Sequence, residues 1–155
     1  MSRTLDEQAL KDATQNALIW TLAKDAEQAC REIERIVAMG PAAVHVALCG
    51  WSGLTNENLT EGQGVTLDSG GFWVTEVTDQ DGRSVSLDDI TDVGQGTRDA
   101  LRLLACAGNK DHDTIMAIVL AAWNAGPETL AELMARSVQL AAQAAQGMTA
   151  RRDSA

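Results

Sequence analysis

The sequence predicts an α+β fold, predominantly helical, on three observations. Apolar residues recur at helical spacing over Thr4–Met39 and again over the last third of the chain. Between them, Gly70–Leu87 (GGFWVTEVTDQDGRSVSL) is the stretch with strand chemistry. Gly-Pro and Gly-Asn-Lys-Asp junctions then punctuate the helical parts as tight turns. The expected arrangement is an N-terminal long helix or helical hairpin, a central small antiparallel β-meander and a C-terminal helical bundle. With 155 residues the chain is long enough to bury one core. It is read as a single globular domain over 1–147, comprising a helical unit at 4–53, the meander at 65–87 and a second helical unit at 88–147. Residues 148–155 are expected to form a flexible tail.

The first segment carries Leu5, Ala9, Ala13, Ala17, Trp20, Ala26, Cys30, Ile33 and Val37 mostly three or four apart. Thr4 and Glu7 form a Thr-x-x-Glu capping box, and Gly40-Pro41 ends the helix. Unbroken, it would span on the order of 54 Å at 1.5 Å per residue. It therefore either breaks near Thr21–Asp25 or reaches beyond its own domain to pair with another copy. Pro41 opens a second helix, PAAVHVALCGW, expected to close at Gly50 or Gly53, and the polar Leu54–Gly64 reads as a loop.

In the central stretch, Val65-Thr66-Leu67 makes a first short strand, and Asp81-Gly82 signals a hairpin turn. A three-residue loop, Gln80-Asp81-Gly82, pairs Val77 with Val85 and Thr75 with Leu87. It gathers Trp73, Val77, Val85 and Leu87 on one face, which a one-residue slip would break up. Phe72 and Val74 lie on the other face and need a helix or a partner over them. Asp88–Asp92 is expected to form a helical turn, and Thr97 to cap a helix over Arg98–Ala107 with Leu101 and Leu104 inward. Asp111 or Asp113 starts TIMAIVLAAW, which is apolar all round and so expected at the centre of a bundle. Asn124–Pro127 stops it. Glu128–Gln146 follows, with Leu130, Leu133, Met134, Val138 and Ala141 facing in. The junctions AMGPAAVHVAL, CAGNKDHDTIMAIVL and NAGPETLAEL resemble one another, but their irregular spacing reads as turn chemistry rather than as a solenoid repeat.

Composition narrows the function classes. The chain is 45% hydrophobic and 22% charged, the balance of a soluble globular protein. No apolar run has the length of a membrane span, and MSRTLDEQ has no signal-peptide core, so cytoplasmic residence is expected. A net charge of −10 argues against direct binding of nucleic-acid phosphates. Cys30, Cys49 and Cys106 are odd in number and set among apolar residues, as buried reduced thiols would be.

No catalytic constellation emerges, and no cofactor or metal is expected. His45 and Cys49 share a helix face but lack further ligands at matching spacing. Gly50-Trp51-Ser52-Gly53 lacks the Gly-x-Ser-x-Gly spacing of a nucleophile elbow. Asp79-Gln80-Asp81-Gly82 fails as a calcium loop, because its first position would fall on Val77. Asp111-His112-Asp113 reads as a helix start. Trp51, between glycines, is the tryptophan expected to be partly exposed, whereas Trp20, Trp73 and Trp123 lie on apolar stripes. The candidate binding residues are therefore Trp51, Phe72, Val74, His45 and Cys49. The expected function is a non-catalytic regulatory protein acting through protein contacts, as a homodimer built on the long first helix. Two alternatives stand beside it. One is a small-molecule-binding module or small enzyme with a pocket near His45, Cys49 and Trp51. The other is an acidic inhibitor or nucleic-acid mimic that binds a basic partner.

Overall fold

A computed structural model describes residues 6–63, 77–78, 84–85 and 95–154. The elements are α1 (Glu7–Leu22), α2 (Ala26–Ala38), α3 (Pro41–Gln63), β1 (Val77–Thr78), β2 (Ser84–Val85), α4 (Gln95–Gly108), α5 (His112–Ala125) and α6 (Pro127–Ser154). The fold is all-α, which corrects the α+β expectation. The two strands pair antiparallel with Val77 opposite Val85 and Thr78 opposite Ser84, the register argued from the turn. Two residues per strand are too few to make a sheet layer, however, and among the described residues the core is built by helices alone. The remainder of the expected meander, Phe72, Trp73 and Val74 included, lies outside the described residues, as do Thr4 and Asp88–Asp92.

The long first segment breaks into a hairpin. Lys24 takes a left-handed φ of 61°. Its N–H bonds Thr21 O at 3.0 Å, and the Asp25 N–H bonds Trp20 O at 2.9 Å. Those paired bonds close the end of α1. Asp25 then caps α2 by accepting from Gln28 N at 3.1 Å. α1 starts on Asp6, whose carboxylate accepts from Ala9 N at 3.0 Å, rather than on the expected Thr4 box.

The second correction lies in α3. It does not stop at Gly50 or Gly53 but continues to Gln63 through most of the expected loop. Each mid-helix glycine costs roughly 0.5–1 kcal/mol relative to Ala. Around them Leu48, Trp51, Ser52, Thr55 and Asn56 are buried, and their packing holds the helix together. α4 likewise begins before Thr97, at Gln95, and α6 remains helical through 148–154, where a tail is expected from sequence.

The architecture is a duplication. One constant shift in residue number carries Lys24-Asp25 onto Lys110-Asp111 and Gly40-Pro41 onto Gly126-Pro127. The same shift superposes the turn chemistry. Lys110 has φ 58°, its N–H bonds Ala107 O at 3.2 Å, and Asp111 N–H bonds Cys106 O at 2.9 Å. Gly40 and Gly126 have φ of 107° and 124°, a region a Cβ disfavours, and each is followed by a proline that opens a helix. Burial follows the shift as well. Ala29, Ile33 and Ile36 map onto Ile115, Val119 and Ala122; Val44, Ala47, Leu48 and Trp51 map onto Leu130, Leu133, Met134 and Ser137. Two three-helix units, α1–α3 and α4–α6, thus share one core. α3 and α6 form its central pair, and each packs against every other helix. α5, expected at the centre, instead turns Leu120 to solvent.

Candidate functional site

The sequence-derived site residues do not converge. Trp51 is 1% exposed, and its Nε1–H donates to Thr14 O at 3.1 Å. It faces inward and ties α3 to α1, where the sequence suggested partial exposure. His45 and Cys49 are half-buried on one edge of α3, with Nε2 and Sγ 3.6 Å apart. Burial raises the Cys49 thiol pKa, which disfavours the thiolate needed for nucleophilic or metal chemistry. Cys30 is exposed and Cys106 half-buried, so the cysteines are free but not the deeply buried set expected. Among the described residues no group of three or more His, Cys, Asp and Glu side chains is placed to hold a metal.

Asp111-His112-Asp113 is a helix start. Asp111 accepts from Thr114 Oγ1 at 2.6 Å and Thr114 N at 3.3 Å, and chiefly these bonds hold its carboxyl below the usual range. His112 and Asp113 point to solvent.

What the structure does assemble is a groove between α1 and α3 of about 430 Å³. Leu10, Thr14, Val46 and Gly50 form its floor, with Glu7, Lys11 and Gln15 along the α1 rim. Val46 is 49% exposed, and one helical repeat beyond Gly50 Leu54 is 41% exposed. Ala42 and Gly53 lie on the same outward sector. No Asp, Glu, Lys or Arg occurs between Arg35 and Glu57. This face of α3 is therefore uncharged, although it is open to solvent.

The duplication supplies an internal control. In the second unit the positions equivalent to Ala42, Val46, Gly50 and Gly53 are Glu128, Glu132, Arg136 and Gln139, an ordinary polar helix face. The groove also has a local cause. Gly96 occupies the place of Leu10, and it lets α4 approach α6 so closely that a Cβ there would lie 2.6 Å from Glu132 Cβ. With Leu10 and Val46 at the equivalent positions, α1 stands off α3 and leans on α2. The signal for this face was present in the sequence as the charge-free run and the four-residue spacing of Val46, Gly50 and Leu54. Ending α3 at those glycines, as the sequence suggests, conceals it.

A second, smaller hollow of about 210 Å³ lies where Lys24, Cys30 and Ile33 meet Ala135 and Val138. Asn56, 1% exposed, donates Nδ2–H to Leu104 O at 3.1 Å, while its Oδ1 is buried without a partner among the described residues. The chain matches no family model, and no curated protein and no solved structure shows significant similarity to it. Among the described residues no helix is long and apolar enough to cross a membrane.

Proposed function

We propose that this is a non-catalytic cytoplasmic protein that works by protein contact, and that the uncharged face of α3 with its α1 groove is the contact surface. The observation that carries this reading is the contrast between equivalent faces: Ala42, Val46 and Gly50 stand where the second unit carries Glu128, Glu132 and Arg136. A helix face open to water normally carries charge. One that stays apolar in one copy of a duplicated unit, beside an open groove of about 430 Å³, has the properties of an interface. The notion of a dimer built on an over-long first helix lacks support, since that segment folds back on itself as α1 and α2.

Photo-crosslinking tests the reading. A benzophenone side chain at Val46 should capture a protein in extracts of the native host, while the same group at the exposed Glu128 should not. Equal capture at both positions, or none at Val46, contradicts it.

A further inference from the structure

We infer that the occupant of this face is an amphipathic helix of a partner protein, with basic residues at both of its ends; the inference rests on the contact-surface reading above. The groove floor selects a helix. Leu10 and Val46 are apolar, and the Thr14 hydroxyl is already spent, donating to Leu10 O at 2.7 Å within α1. The floor therefore offers an occupant shape and no hydrogen bonds. An extended peptide would lay unmet backbone N–H and C=O groups against it, whereas a helix satisfies its own.

The glycines of α3 point the same way. A Cβ at Gly53 would meet nothing within 4 Å, and one at Gly50 would reach only Thr14 Cγ2 at 4.0 Å. Neither has the positive φ that calls for glycine. Packing within the chain thus requires neither, although each weakens the middle of α3. What they provide is a helix surface without side chains at its centre, on which a second helix can lie with its axis close.

Charge fixes the ends of the occupant. Leu10 stands level with Val46 and Thr14 with Gly50, so α1 and α3 run in parallel past the groove. Glu7 precedes Thr14 by as many residues as Glu57 follows Gly50, which sets the two carboxylates at opposite ends. Both are exposed, and neither makes an ion pair with a described residue. They are separated by about 21 Å along the helix axes, the length of a helix of about four turns. Lys11 follows Glu7 along the rim, so the occupant's basic residues belong at its ends and not along its length. The net charge of −10 adds long-range attraction for such a partner.

Fluorescence anisotropy of a labelled synthetic peptide with the full chain tests this. The probe is an amphipathic helix of Leu, Ala and Gln, with Leu on one face and lysines at each end. One control carries glutamates at each end, and another a central proline that breaks the helix. The lysine-ended probe is expected to bind, and both controls to bind about tenfold more weakly. Val46→Glu should weaken binding of the probe about tenfold although it adds negative charge, which separates the groove from general attraction. Glu7→Gln/Glu57→Gln should weaken it about tenfold. Glu34→Gln/Glu128→Gln removes the same charge from exposed sites elsewhere and should leave it unchanged. The inference is overturned by equal binding of the lysine-ended and glutamate-ended probes, by equal effects of the two double variants, by tighter binding to Val46→Glu, or by no binding at all. Should it fall while a crosslinker at Val46 still captures a host protein, the contact-surface reading stands. No capture at Val46 removes both.

Discussion

Glu132 Oε2 accepts the Gly96 backbone N–H at 2.8 Å, so a carboxylate on α6 caps the first turn of α4 from another helix. The bond meets one of the donors a helix N-terminus leaves open, and a negative charge there suits the helix dipole. It is available only because position 96 has no side chain. Gly96→Ala would place Cβ 2.6 Å from Glu132 Cβ and 2.8 Å from Leu133 N, neither of which is a flexible chain end. It should destabilise the protein by about 1–3 kcal/mol through overpacking. Gly53→Ala, with open space around the same atom, should stabilise it by roughly 0.5–1 kcal/mol. Urea denaturation of the two variants should therefore move in opposite directions.

Trp51 is the chief link between α1 and α3. Trp51→Ala should cost about 3–5 kcal/mol, as truncation of a buried aromatic does. Trp51→Phe keeps much of the packing but loses the donor to Thr14 O, at a cost of roughly 0.5–1.5 kcal/mol. Chemical denaturation of both variants checks the order; equal losses would mean that the hydrogen bond dominates.

The left-handed lysines offer a matched pair of gains. Lys24 and Lys110 hold φ of 61° and 58°, a region in which a Cβ costs about 1–2 kcal/mol. Glycine at either position should stabilise by roughly 0.5–1 kcal/mol after its larger unfolded-state entropy is counted. The two effects should be alike, because the two turns have the same hydrogen bonds.

Most helices of this fold were legible in the sequence, and the fold class was not. Helix-ending turns at Gly40-Pro41 and Gly126-Pro127, the Asp111 start and the inward residues Leu130, Leu133, Met134, Val138 and Ala141 all appear as read. The class failed on the meander, of which the described residues keep only the Val77–Val85 and Thr78–Ser84 pairs, and the largest boundary error fell on α3. Two glycines and a polar run after Leu54 outweigh helix propensity locally, whereas burial of Trp51, Thr55 and Asn56 decides the outcome in three dimensions. The duplication stayed hidden for a related reason. What repeats is turn geometry and burial, with Lys-Asp and Gly-Pro as the main shared residues in the turns, and an Ala29 that corresponds to Ile115 shows no identity. The site suffered most. Trp51 looked exposed because glycines flank it in sequence, yet the helix carries it to the core side and leaves Val46 and Leu54 outside. Of the candidate binding residues, Phe72 and Val74 fall outside the described residues.

Acid should weaken the start of α5. The Asp111 carboxyl lies below its ordinary value of 3.8, first through the Thr114 hydroxyl and then through the Thr114 N–H. A depressed folded pKa means the contribution is complete above 3.8 and is lost as pH falls through the folded value. Asp111→Asn retains a capping acceptor but cannot titrate. Melts taken from neutral pH down past 3.8 should show a shallower acid limb for Asp111→Asn than for wild type. Identical limbs would mean that Asp111 titrates alike in the folded and unfolded chain.

The central claim is that the outer face of α3 is surface held for a partner and not part of the core. Val46→Glu tests it most directly, in a denaturation curve and a photo-crosslinking run in host extract, with the crosslinker at Gly50, on the same sample. At 49% exposure the substitution should change folding stability by no more than about 0.5 kcal/mol. In the same sample it should abolish crosslinking of a partner to the groove, because a partner's apolar side chains would have to desolvate the new carboxylate. A Val46→Glu chain that unfolds would place this face in the core, and one that folds and is crosslinked to a partner like wild type would place the interface elsewhere.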